Sequence, residues 1–203
     1  MSQQSVVNEL LARHGQTYAE AAGIKLADKP SPLFQLLVLT MLSSTRISAD
    51  IAVAAARELF KAGWRTPQKL RDAGWQQRVN ALGRAGYRRY DESTSTKLDE
   101  LAVMLIDDYG ADLRRIRPSG SRAADDLAKK VATFPRIGPT GAKIFVREVQ
   151  DIWPEVSPYF DDRAIKAAKR LGLPTDGHRL AKLAPQGRTA VLAAALVRAE
   201  LQS

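Results

Sequence analysis

The sequence predicts an all-α protein. Apolar residues recur at helical spacing along nearly all of the chain, and no stretch alternates apolar and polar residues over a strand's length. The periodic segments also stop at Gly, Pro, Ser and Thr, which punctuate helices.

In chain order, "SVVNELLARHG" (5–15) is expected to open at Ser5 as N-cap and to stop at Gly15. "SPLFQLLVLTMLSST" (31–45) is almost wholly apolar from Leu33 to Leu42 and reads as a helix buried on most sides. "SADIAVAAARELFKAG" (48–63) is amphipathic and ends at Gly63, and "TPQKLRDAG" (66–74) puts Thr66 at the N-cap with Pro67 at the first helical position. "WQQRVNALGRAG" (75–86), "TSTKLDELAVMLIDDYG" (94–110) and "SRAADDLAKKVATFP" (121–135) follow. After a Gly- and Pro-containing turn come "GAKIFVREVQDIW" (141–153), "DDRAIKAAKRLG" (161–172), a short "DGHRLAKLA" (176–184) and "GRTAVLAAALVRAEL" (187–201). The loops are short and no repeat or low-complexity tract interrupts them. Residues 31–150 are therefore expected to form one helical lobe, and residues 1–30 with 151–203 a second, leaving a cleft between them. The second lobe is expected to be held by packing through Ile165, Leu171, Leu173, Leu180, Leu183, Val191, Leu192, Leu196 and Val197.

Composition narrows the function. With 45% hydrophobic residues the 203-residue chain can bury a proper core, and no apolar run is long enough to span a membrane. The first segment reads as an amphipathic helix, not a signal peptide, so a cytoplasmic monomer is expected. The absence of cysteine removes disulfides, thiol catalysis and thiolate-held metals, and His14 and His178 lie far apart, so no cofactor and no metal are expected. The 31 basic residues exceed the 22 acidic ones, giving +9, a balance that favours polyanions, although a basic surface without a partner has the same composition. Eight of the bases fall in residues 157–203 against four acids, so a basic face is expected there.

"FPRIGPTGAKIF" (134–145) is the most informative stretch. An apolar hairpin between two helices can bring Gly backbone beside a phosphate, and the next helix offers free N–H groups and its positive dipole end. A structural αα-corner uses similar residues. Downstream, "FDDRAIKAAKRLGL" (160–173) opens a helix on an aspartate, with Lys166 and Arg170 five and nine positions after Asp161. Asp161 in that position is also a plausible N-cap.

These two motifs, preceded by "FQLLVLTMLSSTRISADIAVAAARELF" (34–60), resemble the endonuclease III family of helix–hairpin–helix DNA glycosylases over residues 31–173. The resemblance implies a two-lobed all-α fold, double-stranded DNA as partner, and a base-excision activity with Asp161 as the catalytic carboxylate. It implies DNA contacts at Arg136, Ile137, Gly138, Thr140, Gly141 and Lys143 of the hairpin, at Thr45 where the family commonly has a wedging Gln, and at Arg163, Lys166 and Arg170. The chain departs from the pattern in four places: Arg136 replaces the first hairpin Gly, Thr45 the wedge, Thr140 the lyase lysine, and the C-terminal cluster ligands are missing. A carboxylate beside the sugar would stabilise positive charge as the base leaves, whereas imine chemistry needs an amine that Thr140 lacks. The expected function is a monofunctional DNA glycosylase; the alternative is a non-catalytic DNA-binding protein that kept the hairpin. Secondary expectations are that "GRAGYRRY" (83–90) offers arginines to phosphates and Tyr87 and Tyr90 either to bases or to the interior, and that Trp64, Trp75 and Trp153 pack within the protein.

Overall fold

Side-chain caps set the starts of five of the helices. The computed structural model describes residues 2–202, and among them there are helices and turns but no β-strand. The first helix, α1 (Gln3–His14), begins three residues earlier than expected, because Ser2 and not Ser5 is the N-cap: its hydroxyl accepts from the Ser5 N–H at 3.1 Å. It ends at Gly15, as the sequence predicts. After α2 (Tyr18–Ala21) come α3 (Pro30–Ser43), α4 (Ala49–Lys61), α5 (Pro67–Asp72), α6 (Trp75–Arg84) and α7 (Asp91–Tyr109). Ser48 caps α4 and Thr66 caps α5, with Pro67 at the first position. The chain continues through α8 (Ala123–Val131), α9 (Pro139–Val149), α10 (Asp162–Arg170), α11 (Gly177–Ala181) and α12 (Thr189–Leu201). None of these helices is long and apolar enough to cross a membrane.

The chain divides into two units. Unit 2 comprises Ala19–Arg117 and Asp125–Phe145; unit 1 comprises Met1–Tyr18, Pro118–Ala124 and Val146–Ser203. The division differs from the expected one: residues 19–30 belong with unit 2, and residues 118–124 and the end of α9 belong with unit 1.

Unit 2 is built around α3, in which every residue from Leu33 to Leu42 is buried. It packs against α4, and α7 packs against α5 and α6. A buried cation joins the last three. Arg78 donates to the carbonyls of Leu70 (2.9 Å) and Ala73 (2.6 Å) and to Ser95 Oγ (3.2 Å), with Asp99 at 3.5 Å. Those acceptors replace the water lost on burial.

Unit 1 packs α1 and α10 on α12. Its core gathers Val7, Leu10, Ala164, Ala167, Ala168, Leu173, Leu180, Leu192, Leu196 and Val197, flanked by Ile165, Leu171 and Leu183. Val191 is buried on α12 as well, so the apolar set expected there is inside. Eight consecutive residues of α12, Ala190–Val197, are buried, and half of them are alanines that let neighbouring helices come close. No side chain of its own caps this helix; instead both carboxylate oxygens of Asp151 lie 3.2 Å from the Ala190 N–H.

Candidate nucleic-acid interface

The hairpin between α8 and α9 is held from inside by Phe134, Ile137, Ala142 and Phe145, all buried. Its outer edge is Gly138, Pro139 and Thr140, all exposed, at the start of α9. Two glycines here have different reasons. A Cβ on Gly141 would lie 2.0 Å from Ser44 Oγ and 3.0 Å from Ser44 Cβ, so Gly141 lets α9 meet the end of α3. A Cβ on Gly138 would meet nothing within 4 Å. Neither packing nor a positive φ asks for glycine at 138, and the missing side chain leaves the backbone there open to close approach. Lys143 is half-buried one turn into the helix.

Arg136 occupies a left-handed conformation, φ +63°. A non-glycine residue there costs on the order of 1 kcal/mol. The guanidinium turns back onto α7, donating to Thr94 Oγ1 (2.6 Å) and Ser93 Oγ (3.0 Å) and lying 5.9 Å from the Tyr90 ring centre. Thr45 also faces inward. Its hydroxyl donates to the Leu42 carbonyl at 2.8 Å and meets the Tyr87 hydroxyl. Tyr87 is fully buried, so of the two uses open to it the interior one holds. Burial pushes its phenol above the usual tyrosine value. Arg84 pairs with Glu58 at 2.7 Å, whereas Arg88 and Arg89 are exposed, Arg89 over the Tyr90 ring at 5.5 Å. Of the tryptophans, Trp153 is fully buried, but Trp75 is 42% exposed, its indole N–H donating to Thr96 at 3.1 Å.

Asp161 lies in unit 1 and is only 8% exposed. It is the N-cap of α10: Oδ1 accepts from the Ala164 N–H at 3.0 Å. Its Oδ2 accepts from Arg147 Nη1 at 2.6 Å. Arg147 is 3% exposed and has the buried Glu148 carboxylate 3.7 Å from its Nε. Burial alone would lower the Arg147 pKa, but Asp161 and Glu148 outweigh it and hold the guanidinium charged. The Tyr18 ring lies 5.3 Å from the same guanidinium and 4.2 Å from that of Arg198. The sequence reading did not single out Arg147. The signal available was an Arg–Glu pair inside the otherwise apolar run "IFVREVQDIW".

The remaining basic residues of the expected set lie on α10. Lys166 and Arg170 both pair with Glu200, at 2.6 and 3.3 Å, and Arg170 also donates to the Ala199 carbonyl at 2.8 Å. The hydrogen bond from Lys166, with the charges of Arg170 and Arg163, holds Glu200 below the usual carboxylate range. Arg163 is exposed.

The fold is that of endonuclease III. Two solved structures align over 97% of this chain and 85% of theirs, each with a TM-score of 0.54. One is a trapped endonuclease III–DNA covalent intermediate, an estranged-adenine complex, at 17% identity; the other is a non-covalent endonuclease III–DNA complex at 18%. Neither a protein-family model nor a curated protein matches the sequence. The iron–sulfur cluster implied by resemblance to endonuclease III does not fit this chain, which has no cysteine to ligate it. Among the described residues no group of three His, Asp or Glu side chains is placed to hold a metal.

Proposed function

We propose that this protein binds duplex DNA through the hairpin at 134–143 and does not excise bases: a helix–hairpin–helix binding protein on a glycosylase fold. The observation that carries the second half is the state of Asp161. One carboxylate oxygen caps α10 and the other is held by buried Arg147. To stabilise an oxocarbenium-like sugar, a carboxylate must present uncompensated negative charge where positive charge develops. An aspartate neutralised at 2.6 Å by a guanidinium offers little of it. Thr140 at the lyase position lacks the amine that the covalent alternative needs, and the nearest one is Lys143, three residues on. DNA as partner is supported by the exposed Gly138–Thr140 edge, by the +9 charge and by the fold.

The second reading is a monofunctional glycosylase in which Arg147 holds the Asp161 carboxylate in a fixed orientation. The same short ion pair favours it, because a fixed charge is what preorganised catalysis needs. A panel of duplexes carrying single damaged or mismatched bases separates the two, scored for released base and for strand scission after alkali. The binding-protein reading expects salt-dependent retention of all the duplexes and no release. Release by the unmodified protein, abolished in Asp161→Asn, establishes the glycosylase instead.

A further inference from the structure

Thr45 and Arg136 come from separate segments of unit 2, yet both are tied to the segment 87–94, Thr45 at Tyr87 and Arg136 at Thr94. Arg136 donates to Thr94 Oγ1 at 2.6 Å and to Ser93 Oγ at 3.0 Å, and seven residues before Thr94 on the same segment the Tyr87 hydroxyl meets that of Thr45. Tyr87 and Thr94 are fully buried. The Leu42 carbonyl closes the far end, accepting from the Tyr87 hydroxyl at 3.0 Å and from Thr45 Oγ1 at 2.8 Å. One end of this set of contacts is the hairpin; the other is the turn at 44–48 that joins α3 to α4.

The geometry points to Tyr87 as a positioning residue that holds the hairpin and the 44–48 turn together as one preorganised DNA-binding surface, with Arg136 as its latch and not a phosphate contact. The inference rests on the DNA-binding reading above. Its first support is that Arg136 keeps a left-handed backbone that glycine would adopt without strain, and its guanidinium is spent on Ser93, Thr94 and the Tyr90 ring. Its second is that the Thr45 hydroxyl is turned inward on Leu42 and Tyr87, which leaves Arg46 beside it as the exposed basic residue of the turn. Buried polar contacts that are fully satisfied fix one arrangement of the segments they join. Surfaces arranged before binding avoid the ordering cost of loops, so loosening them lowers affinity without changing how many phosphates are neutralised.

The test combines duplex titrations at several salt concentrations with hydrogen–deuterium exchange of the free protein, for Tyr87→Phe, Arg136→Gly, Arg136→Lys and the double variant Y87F/R136G. Arg136→Gly suits the backbone and so folds. Each single variant is expected to weaken duplex binding about three- to tenfold at fixed salt, with an unchanged salt slope. The lysine variant should behave like the glycine one, and the double variant should lose no more than the weaker single, since all three act on one unit. Without DNA, Tyr87→Phe should speed amide exchange in the hairpin, and Arg136→Gly should speed it in the 44–48 turn. A slope smaller by about one in Arg136→Gly but not in Arg136→Lys makes Arg136 a phosphate contact and overturns the inference. So do multiplicative losses in the double variant, or exchange changes confined to the mutated loop. If the unmodified protein shows no salt-dependent duplex binding, the DNA-binding reading fails on its own. The reciprocal exchange still decides whether the two loops are coupled.

Discussion

Replacing Asp161 by Asn is expected to destabilise the protein by about 3 kcal/mol, at the lower end of the range for breaking a buried ion pair. The estimate follows from the surroundings of Arg147. The guanidinium is 3% exposed and would lose the acceptor at 2.6 Å, but the Glu148 carboxylate at 3.7 Å still offsets part of its charge. The cap on α10 should survive, because asparagine accepts the Ala164 N–H about as well as aspartate. For a chain of this size each kcal/mol shifts the melting temperature by roughly 2–4 °C, so the variant should melt roughly 6–12 °C lower. Thermal and urea melts of Asp161→Asn, Arg147→Met and the double variant measure this. The double variant should recover much of the loss, since an apolar replacement of a buried pair removes the stranded charge. A loss below about 1 kcal/mol in Asp161→Asn would refute the reasoning. It would mean that the carboxylate does not hold Arg147 and is available for chemistry. Residues shaped for catalysis are often neutral or stabilising to remove, so stability and function point in opposite directions here.

Other expected outcomes follow from single contacts. Gly141→Ala should cost about 1–3 kcal/mol in a urea melt, because its methyl displaces Ser44 from its 2.7 Å bond to the Thr40 carbonyl; Gly138→Ala, in open space, should leave stability unchanged and weaken duplex binding. Lys143→Ala should reduce the log–log salt slope of duplex binding by about 0.9 with no change in sequence preference. Asp151→Ala should lower stability by about 0.5–2 kcal/mol by uncapping α12. Glu200 has a lowered folded-state pKa, so its contribution is present above the usual carboxylate value of 4.5 and is lost as pH falls through the lower folded value; Glu200→Gln should flatten the acid limb of a stability–pH curve.

The helices were legible in the sequence because their signals are local. Thr66–Pro67 marks the start of α5, the unbroken apolar run marks α3 as central, and Gly15 stops α1. The same locality explains the displaced first cap, since Ser2 and Ser5 are both acceptable N-caps and only the geometry chooses between them. The hairpin was visible as a motif, but not the fate of its side chains. Arg136 reads as a phosphate ligand until Thr94, forty-two residues earlier, is placed beside it. Lys166 and Arg170 read as a basic face until Glu200 is brought alongside. Asp161 showed its cap, which is encoded within three residues, and hid its ion pair, which joins positions fourteen apart across a loop. Charge counts register such groups as available; pairing across the fold decides which of them still are.

The burial of α12 has a consequence for how the protein is made. Helix α1 rests on α12, and His14 and Thr189 lie 175 positions apart in the chain. During synthesis, at roughly 5–20 residues per second, α1 waits on the order of ten to thirty-five seconds for its partner. Every helix that builds the α3 core has emerged by then, so unit 2 is expected to fold first on the ribosome. In that interval Val7 and Leu10 have no place in a finished core, and they are the apolar surface a chaperone would meet.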